Sequence, residues 1–307
     1  MFISLEVTTE TGLLSANTYW IDQLKHLFPE SFHVEKTSNL FIGVSGHDSC
    51  FEADQTHNQS FLDKSFTVLI DGEIENLEAI GSCLKGNQEY GAQGSVDSIS
   101  AQSVSLLISQ LEKLQGCFTL LIVNHASNTV ILYRSSLGQV ALYYCVSGEQ
   151  FIAASEERAI VAHPAVSTDV NSSILASIFA LNSSHPVRQT AFSQVSELLP
   201  GECLVWKNGV IEKYRNPLSL GQKHIRYSSD QEYADHYRDL LERMVSRCLP
   251  EDGPVGVMLS SGIDSAPAAV IANRQLEKRG QILTAYSWSL PGFETADESA
   301  QSKQVAD

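Results

Sequence analysis

The chain has 307 residues, 43% hydrophobic and 18% charged, a balance that buries a core readily and gives a prior of two ordinary domains. A net charge of −16 argues against a nucleic-acid binder, because phosphate contacts need a basic face. No apolar run approaches the ~20 residues of a membrane span, and Glu6 and Glu10 stand where a signal peptide would carry a basic start, so the expected location is cytoplasmic, with no nucleic-acid or membrane partner.

From about Phe41 to Trp206 the pattern is one of short strands separated by turn signals. Phe66–Ile70, Phe118–Val123, Thr129–Tyr133, Ala141–Val146 and Phe151–Ala154 are rich in β-branched, aromatic or other apolar residues, and each predicts a strand. Val104, Leu107, Ile108, Leu111 and Leu114 fall at helical spacing and predict a helix across that sheet. Asn76 reads as the N-cap of a short helix after it. These elements imply an α+β layered domain. The six cysteines (Cys50, Cys83, Cys117, Cys145, Cys203, Cys248) lie far apart, with no CxxC pair and no histidine cluster, so buried reduced thiols are expected rather than zinc ligands.

A boundary falls near Asn216–Ser228, where Pro217, Gly221 and a polar run interrupt the pattern. Ser229 and Glu232 then form a capping box. The helix behind it is apolar at Tyr233, Tyr237, Leu240, Leu241, Met244, Val245 and Cys248, one face at a 3.6 period, and Pro250 ends it. The next elements read as a βαβ unit: strand Val255–Leu259, loop Ser260–Ser265, helix Ala266–Lys278 with Pro267 in its first turn, Gly280 as stop, and strand Ile282–Trp288. This order predicts the start of a parallel sheet.

The loop carries the chemistry. In Val255-Gly-Val-Met-Leu-Ser-Ser-Gly-Ile-Asp-Ser265 an apolar strand breaks into a turn of small residues that opens a helix. Free N–H groups and the positive helix end favour an anion there, and small residues admit a phosphate. Ser260 and Ser265 add hydroxyl donors. The Asp264 carboxylate would repel phosphate unless a cation stood between them, which implies Mg²⁺. No lysine follows as in GxxxxGK[ST], so that phosphate loop is excluded. The competing reading is a plain Ser/Gly turn, with Asp264 as an N-cap.

The segment resembles the SGGxDS pyrophosphate loop of the asparagine synthetase and β-lactam synthetase family. The resemblance implies that Ser260, Ser261, Gly262 and Ser265 hold the phosphates of ATP, that Asp264 holds Mg²⁺, and that Leu259 and Trp288 line the adenosine pocket. Ser261 departs from the family's first glycine, and Ala266 from a usual serine. Other segments match too. Leu132-Tyr-Arg134-Ser-Ser-Leu137-Gly138 with Leu142-Tyr-Tyr144 resembles RDxLGxxPLYY, and Ala154-Ser155-Glu156 with Ala162-His163-Pro164 resembles ASE…AHP. Leu199-Pro-Gly201, Tyr214 and Pro217 resemble the end of the first domain, and Asp297-Glu298 the helix after the second strand. The match runs from about Leu69 to Asp307 and is poor over the first forty or so residues.

The fold so implied is a four-layer αββα glutaminase-like domain of the N-terminal-nucleophile (Ntn) type over 1–220. The start of a parallel-sheet α/β domain, adenine-nucleotide α-hydrolase-like, follows over 229–307. In that family a cysteine at the mature N-terminus attacks glutamine, with its own α-amine as base. Here the second residue is Phe2, which also disfavours removal of Met1, and the internal Cys50 reads as a core residue. Asp71-Gly72-Glu73-Ile74-Glu75-Asn76 resembles NGEIYN, whose leading Asn donates to the oxyanion. Asp71 puts a carboxylate there, against what an oxyanion hole must do, while Gly72 and Glu73 match. The resemblance thus implies a degenerate glutamine site at Asp71, Gly72 and Glu73, with turn capping as the competing reading of Glu73. The first domain is therefore expected to be structural.

The leading reading is a ligase that adenylates a small-molecule or peptide carboxylate, with the amine supplied as free ammonia or by the substrate. The product would be asparagine or a β-lactam- or lasso-peptide-type intramolecular amide. The other reading is a catalytically silent homologue or fragment acting as a binding module. The acceptor-binding residues are expected beyond Asp307, so the chain alone is not expected to complete the reaction. Oligomeric state is left open by the sequence.

Overall fold

The structure is a computed structural model and describes residues 2–8, 18–27, 32–36, 40–45, 60–62, 66–76, 107–124, 127–148, 150–180, 188–215, 224–290, 292–293 and 297–306. It divides into two compact units, Met1–Leu220 and Gly221–Asp307.

Period-2 side-chain alternation makes the first unit a sandwich. Its described strands are β1 (Phe2–Thr8), β2 (Phe32–Lys36), β3 (Leu40–Ser45), β4 (Ser60–Leu62), β5 (Phe66–Ile74), β6 (Gly116–Asn124), β7 (Thr129–Arg134), β8 (Tyr143–Ser147), β9 (Gln150–Ala154), β10 (Ser196–Glu197), β11 (Glu202–Lys207) and β12 (Val210–Arg215). They form two six-stranded sheets, in the orders β10-β8-β9-β1-β3-β2 and β12-β11-β7-β6-β5-β4. Neighbours in both sheets run antiparallel.

Leu121 and Val123 of β6, with Leu69, Val130, Leu132, Leu204 and Trp206, point from the second sheet towards Tyr144, Phe151 and Ala153 of the first. The Phe151 ring stacks on Trp206 with centroids 5.5 Å apart, a pairing worth about 0.5–1.5 kcal/mol beyond its burial. Phe118, Leu120 and Ile122 point the other way, onto Leu107, Leu111 and Leu114. On the far face of the first sheet, Cys145, Ile152 and Ala154 pack with Trp20 and Leu24 of α1 (Thr18–Leu27) and with Ala159 and Ile160 of α2 (Glu157–Val161). The Trp20 indole N–H donates to the Ala159 carbonyl at 2.8 Å, tying the two helices together. The layers are thus α, β, β, α, as expected. The interior strands are buried on both faces, which is why they read as continuous apolar runs.

The helix expected over 104–114 is helical at 107–111 and then turns, with 104–106 outside the described residues. The short helix expected after Asn76 lies outside the described residues. The Asn76 side chain bridges to the next segment, accepting from Gln115 N–H at 2.8 Å and donating to the Lys113 carbonyl at 3.0 Å. Nor are all the thiols buried: Cys145 and Cys203 are, whereas Cys117 and Cys248 are exposed and Cys50 and Cys83 lie outside the described residues. A further helix, α3 (Ser172–Phe179), begins at an Asn171 whose side chain accepts from Ile174 N–H.

In the second unit, α4 (Asp230–Cys248) opens on the predicted capping residues. Ser229 Oγ accepts from Glu232 N–H at 3.3 Å, while the Glu232 carboxylate accepts from Ser228 N–H at 3.0 Å, one residue earlier than in the usual box. The apolar face predicted for this helix exists, but it is not covered: none of the residues of α4 is buried. Side-chain hydrogen bonds tie it to the next helix, Ser246 with Gln275 at 2.7 Å and Gln275 with the Glu242 carbonyl at 3.2 Å, and Leu241 and Val245 of the apolar face are half-buried. Strand β13 (Val255–Met258) pairs in parallel with β14 (Leu283–Tyr286), Val257 opposite Ala285. Helix α5 (Ser265–Glu277) joins them, burying Ala269, Ile271, Ala272 and Leu276. A final helix, α6, covers Ser299–Ala306.

Candidate functional site

The Ser260–Ser265 turn leaves the end of β13 at the first residue beyond the strand pairing. Leu259 N–H donates to the Tyr286 carbonyl at 2.8 Å, and Ser287 Oγ donates to the Leu259 carbonyl at 2.7 Å, so the strand edge is held up to the turn itself. Leu259 is 5% exposed, its side chain committed to the interior, whereas Trp288 is 79% exposed. From Ser260 to Asp264 every residue is exposed.

Hydroxyls organise the loop. Ser265 Oγ accepts from Ser260 N–H at 3.1 Å and lies 2.8 Å from Ser260 Oγ, which in turn accepts from Gly262 N–H at 3.2 Å. A Cβ at Gly262 would come 3.1 Å from Ser260 Oγ, tighter than an ordinary contact, so that hydroxyl would have to shift. Asp264 takes the N-cap position of α5, yet its side chain makes no capping hydrogen bond. The plain N-cap reading of Asp264 thus lacks its bond, and the carboxylate stands exposed at the mouth of a helix N-terminus. Among the described residues no group of three or more His, Cys, Asp or Glu side chains could hold a metal by itself. A cation here would therefore lean on its ligand's own oxygens as well as on Asp264.

A contact across 37 residues was not foreseen from the sequence. The Glu298 carboxylate accepts from Ser261 N–H at 3.1 Å and from Ser261 Oγ at 2.9 Å, both at Oε2. Its neighbour Asp297 accepts from Ser299 N–H at 2.9 Å, and hydrogen bonding from the Ser299 side chain first, then from its backbone, holds the carboxyl below its ordinary value at the start of α6. The only signal in the sequence was the Asp297-Glu298 pair itself, with nothing to name its partner.

In the first unit, Asp71 lies within β5, opposite Thr119 of β6, and is 6% exposed. Ser155 Oγ, directly after β9, donates to Asp71 Oδ2 at 2.5 Å and so bridges one sheet to the other. Burial pushes the Asp71 carboxyl above its ordinary value, with the Ser155 bond working in the opposite direction. The β1 register, Ser4 opposite Ala154, brings the Phe2 end of β1 to this same Ser155 end of β9. Gly72 has φ +103°, and a Cβ there would come 2.1 Å from the Cys117 carbonyl oxygen, so only glycine fits. Glu73 is exposed and paired with Cys117 inside the strand ladder, just before the turn at residues 75–76.

The segment after β7 is scaffold. The Arg134 guanidinium donates to Glu197 Oε1 and the Leu198 carbonyl at 2.6 Å each, and to the Gly138 carbonyl at 2.5 Å. It clamps the 135–138 turn onto the strand that precedes β11. Arg188 does similar work, bidentate on the buried Glu202 at 2.7 Å per bond.

Comparison with known proteins agrees with this division. The glutamine amidotransferase domain family matches residues 22–216, and the asparagine synthase family matches residues 236–307. The chain is 29% identical over 224 residues to asparagine synthetase [glutamine-hydrolyzing] 3 of Bacillus subtilis, covering 71% of this chain and 35% of that protein. It is 25% identical over 267 residues to asparagine synthetase B [glutamine-hydrolyzing] of Escherichia coli, covering 83% of this chain and 41% of that protein. The chain therefore spans less than half the length of either relative. Among solved structures, a glutamine phosphoribosylpyrophosphate amidotransferase from B. subtilis aligns at 14% identity with a TM-score of 0.41, over 93% of this chain and 65% of that one. The chain belongs to the asparagine-synthetase-like family, with a glutamine amidotransferase domain followed by part of an asparagine synthase domain.

Proposed function

We propose that this chain is part of an ATP-dependent, AMP-forming ligase that activates a carboxylate and joins it to an amine, and that its first domain has lost glutamine hydrolysis. The observation that carries the ligase reading is the loop: a strand end, five exposed positions of which four are small or acidic, and hydroxyls at Ser260 and Ser265 gathered at a helix N-terminus. That arrangement favours a polyphosphate, since unsatisfied N–H groups and the helix dipole both attract anions. The exposed Asp264 carboxylate, free of a capping bond, fits a Mg²⁺ ion carried in with the nucleotide. ATP would supply the adenylyl group, and Mg²⁺ would neutralise charge on the leaving pyrophosphate. The chain's own part is to hold the phosphates in line for attack by the carboxylate.

Loss of glutaminase activity is supported by Asp71, a buried carboxylate where the resemblance puts an oxyanion donor. The Asp71 carboxylate accepts from Ser155 and offers no N–H to a developing oxyanion. The amine is then free ammonia, giving asparagine, or a group on the substrate itself, giving a β-lactam- or lasso-type amide. Calorimetric titration with Mg·ATP tests the first half. Binding that requires Mg²⁺ is the expected result, and no binding with or without the metal would remove the nucleotide site.

The second reading is a binding module that holds nucleotide without turnover. The contact of Glu298 with Ser261 favours it, because an internal carboxylate already uses a loop N–H that a phosphate would need. Tight Mg·ATP binding together with pyrophosphate release in the presence of a carboxylate and an amine would tell against it.

A further inference from the structure

We infer that Glu298 is the resident anion of the loop, a latch that a polyphosphate must displace, and that Ser261 is the residue that gives the latch its hold. The inference rests on the polyphosphate reading of the loop. Two bonds to one carboxylate oxygen define the contact: the Ser261 backbone N–H at 3.1 Å and the Ser261 hydroxyl at 2.9 Å. The first would be made whatever residue stood at 261. The second exists only because that residue carries a hydroxyl, so the departure from glycine here doubles the hold on Glu298.

The geometry assigns opposite roles to the two carboxylates near the turn. Asp264 has no capping bond and is exposed, available to a cation. Glu298 is engaged with a donor of the loop, in the place of a phosphate oxygen. An anion on the donor and a second anion arriving for it exclude one another, so the Glu298 bond lowers polyphosphate affinity by whatever it is worth. Hydrogen bonds to charged groups in a folded protein are worth more than neutral ones, but Glu298 is exposed and solvent weakens the pair. The expected effect is therefore modest, about three- to tenfold in affinity.

Glu298 also stands directly before α6, next to the Asp297 that accepts from Ser299 N–H. Release of the latch therefore frees a loop donor, while the Asp297 bond to Ser299 N–H still holds the start of α6.

The test uses the 307-residue chain and its Glu298→Gln, Ser261→Ala and Ser261→Gly variants, with Mg·pyrophosphate and Mg·ATP as separate probes in calorimetry. Pyrophosphate reads the loop without the adenosine pocket. Each variant should bind both probes about three- to tenfold tighter than the parent. Hydrogen exchange without ligand should show the Ser261 amide protected in the parent and faster in Glu298→Gln. Unchanged or weaker binding in Glu298→Gln, with the parent binding normally, overturns the latch and makes Glu298 a loop support or a metal-facing group. If the parent and all variants fail to bind either probe, the polyphosphate reading falls and takes the latch with it. The exchange result still reports whether the Ser261–Glu298 bond forms.

Discussion

A buried carboxylate bonded to a serine has a definite signature in pH. Asp71 is held above its ordinary value of 3.8 by burial, so the folded chain keeps that proton to higher pH than the unfolded chain does. Its contribution to stability is thus most favourable below the ordinary carboxylate value and falls as pH rises through the window from there to the raised value. Above that window it stays constant as a penalty. Asp71→Asn keeps an oxygen that can accept from Ser155 Oγ and removes the titration. The difference in urea-unfolding free energy between variant and parent should therefore grow in the variant's favour from about pH 4 upward and then level. A loss of more than about 1 kcal/mol at pH 7 in the variant would mean that the charged form of Asp71 is stabilised by its surroundings. On the proposed reading that the first domain has lost glutamine hydrolysis, the same substitution should not restore it, because a donor stabilises an oxyanion only once a nucleophile has formed it. Glutamate release should sit at background in the parent, in Asp71→Asn and in a Cys50→Ala control, and a rate that vanishes only in the last would reinstate an internal thiol. Asp71 itself stood out in the sequence. Its pairing with Ser155 did not, since 84 residues separate them and only the packing of one sheet on the other brings them together.

Elements were legible wherever burial was two-sided or a cap was local. The runs at 118–123 and 129–133 are strands because both faces meet a core, and Ser229 starts a helix because its oxygen reaches Glu232 N–H three residues on. The burial of α4 was not legible. Its period gives a face for packing but says nothing of whether that face is covered, and Tyr237 is 60% exposed and Met244 52%. At the loop, strand, turn and helix all emerged from composition, down to Pro267 in the first turn, while the Glu298 contact needed coordinates. The role of Asp264 divides two ways at this scale. As an N-cap it would be replaced by Asn almost without effect, since Asn caps about as well. As a metal-facing carboxylate its charge is the point. We expect Asp264→Asn to fold with an unchanged melting temperature and to lose at least about tenfold in Mg²⁺-dependent ATP affinity, measured by calorimetry with and without the metal. Equal Mg·ATP affinity in variant and parent would take Asp264 out of the site.

The two units differ in how their apolar surface is used. In the first, interlocked clusters bury Trp206, Phe118 and Phe151 fully, and the strands between them carry ladders on both sides. In the second, a helix of 19 residues buries none, the parallel pair has only two strands, and Ile263, Ile282, Trp288 and Phe293 are each more than two-thirds exposed. Regions with few buried apolar contacts open locally at low free energy, and proteases cut the open form in proportion to its population. Among the described residues, trypsin should cut first at Arg238, Arg243, Arg247, Lys278 or Arg279, all exposed or next to exposed chain. Cuts at Arg134 and Lys207, which sit in the sheets, and at Arg188, which is half-buried and held by Glu202, should come later. Mass spectrometry of a time course reads the order directly. A ligand that binds the folded second unit stabilises it by RT ln(1 + [L]/Kd), about 2.7 kcal/mol at a hundredfold excess over Kd. Mg·pyrophosphate at that excess should therefore slow the cuts between 238 and 279 about a hundredfold and leave those at 134–207 unchanged. Protection of both sets would point to a ligand effect on the first unit as well. First cuts at Arg134 or Arg188 with the second unit intact would show that the exposed face of α4 does not make that unit the weaker one.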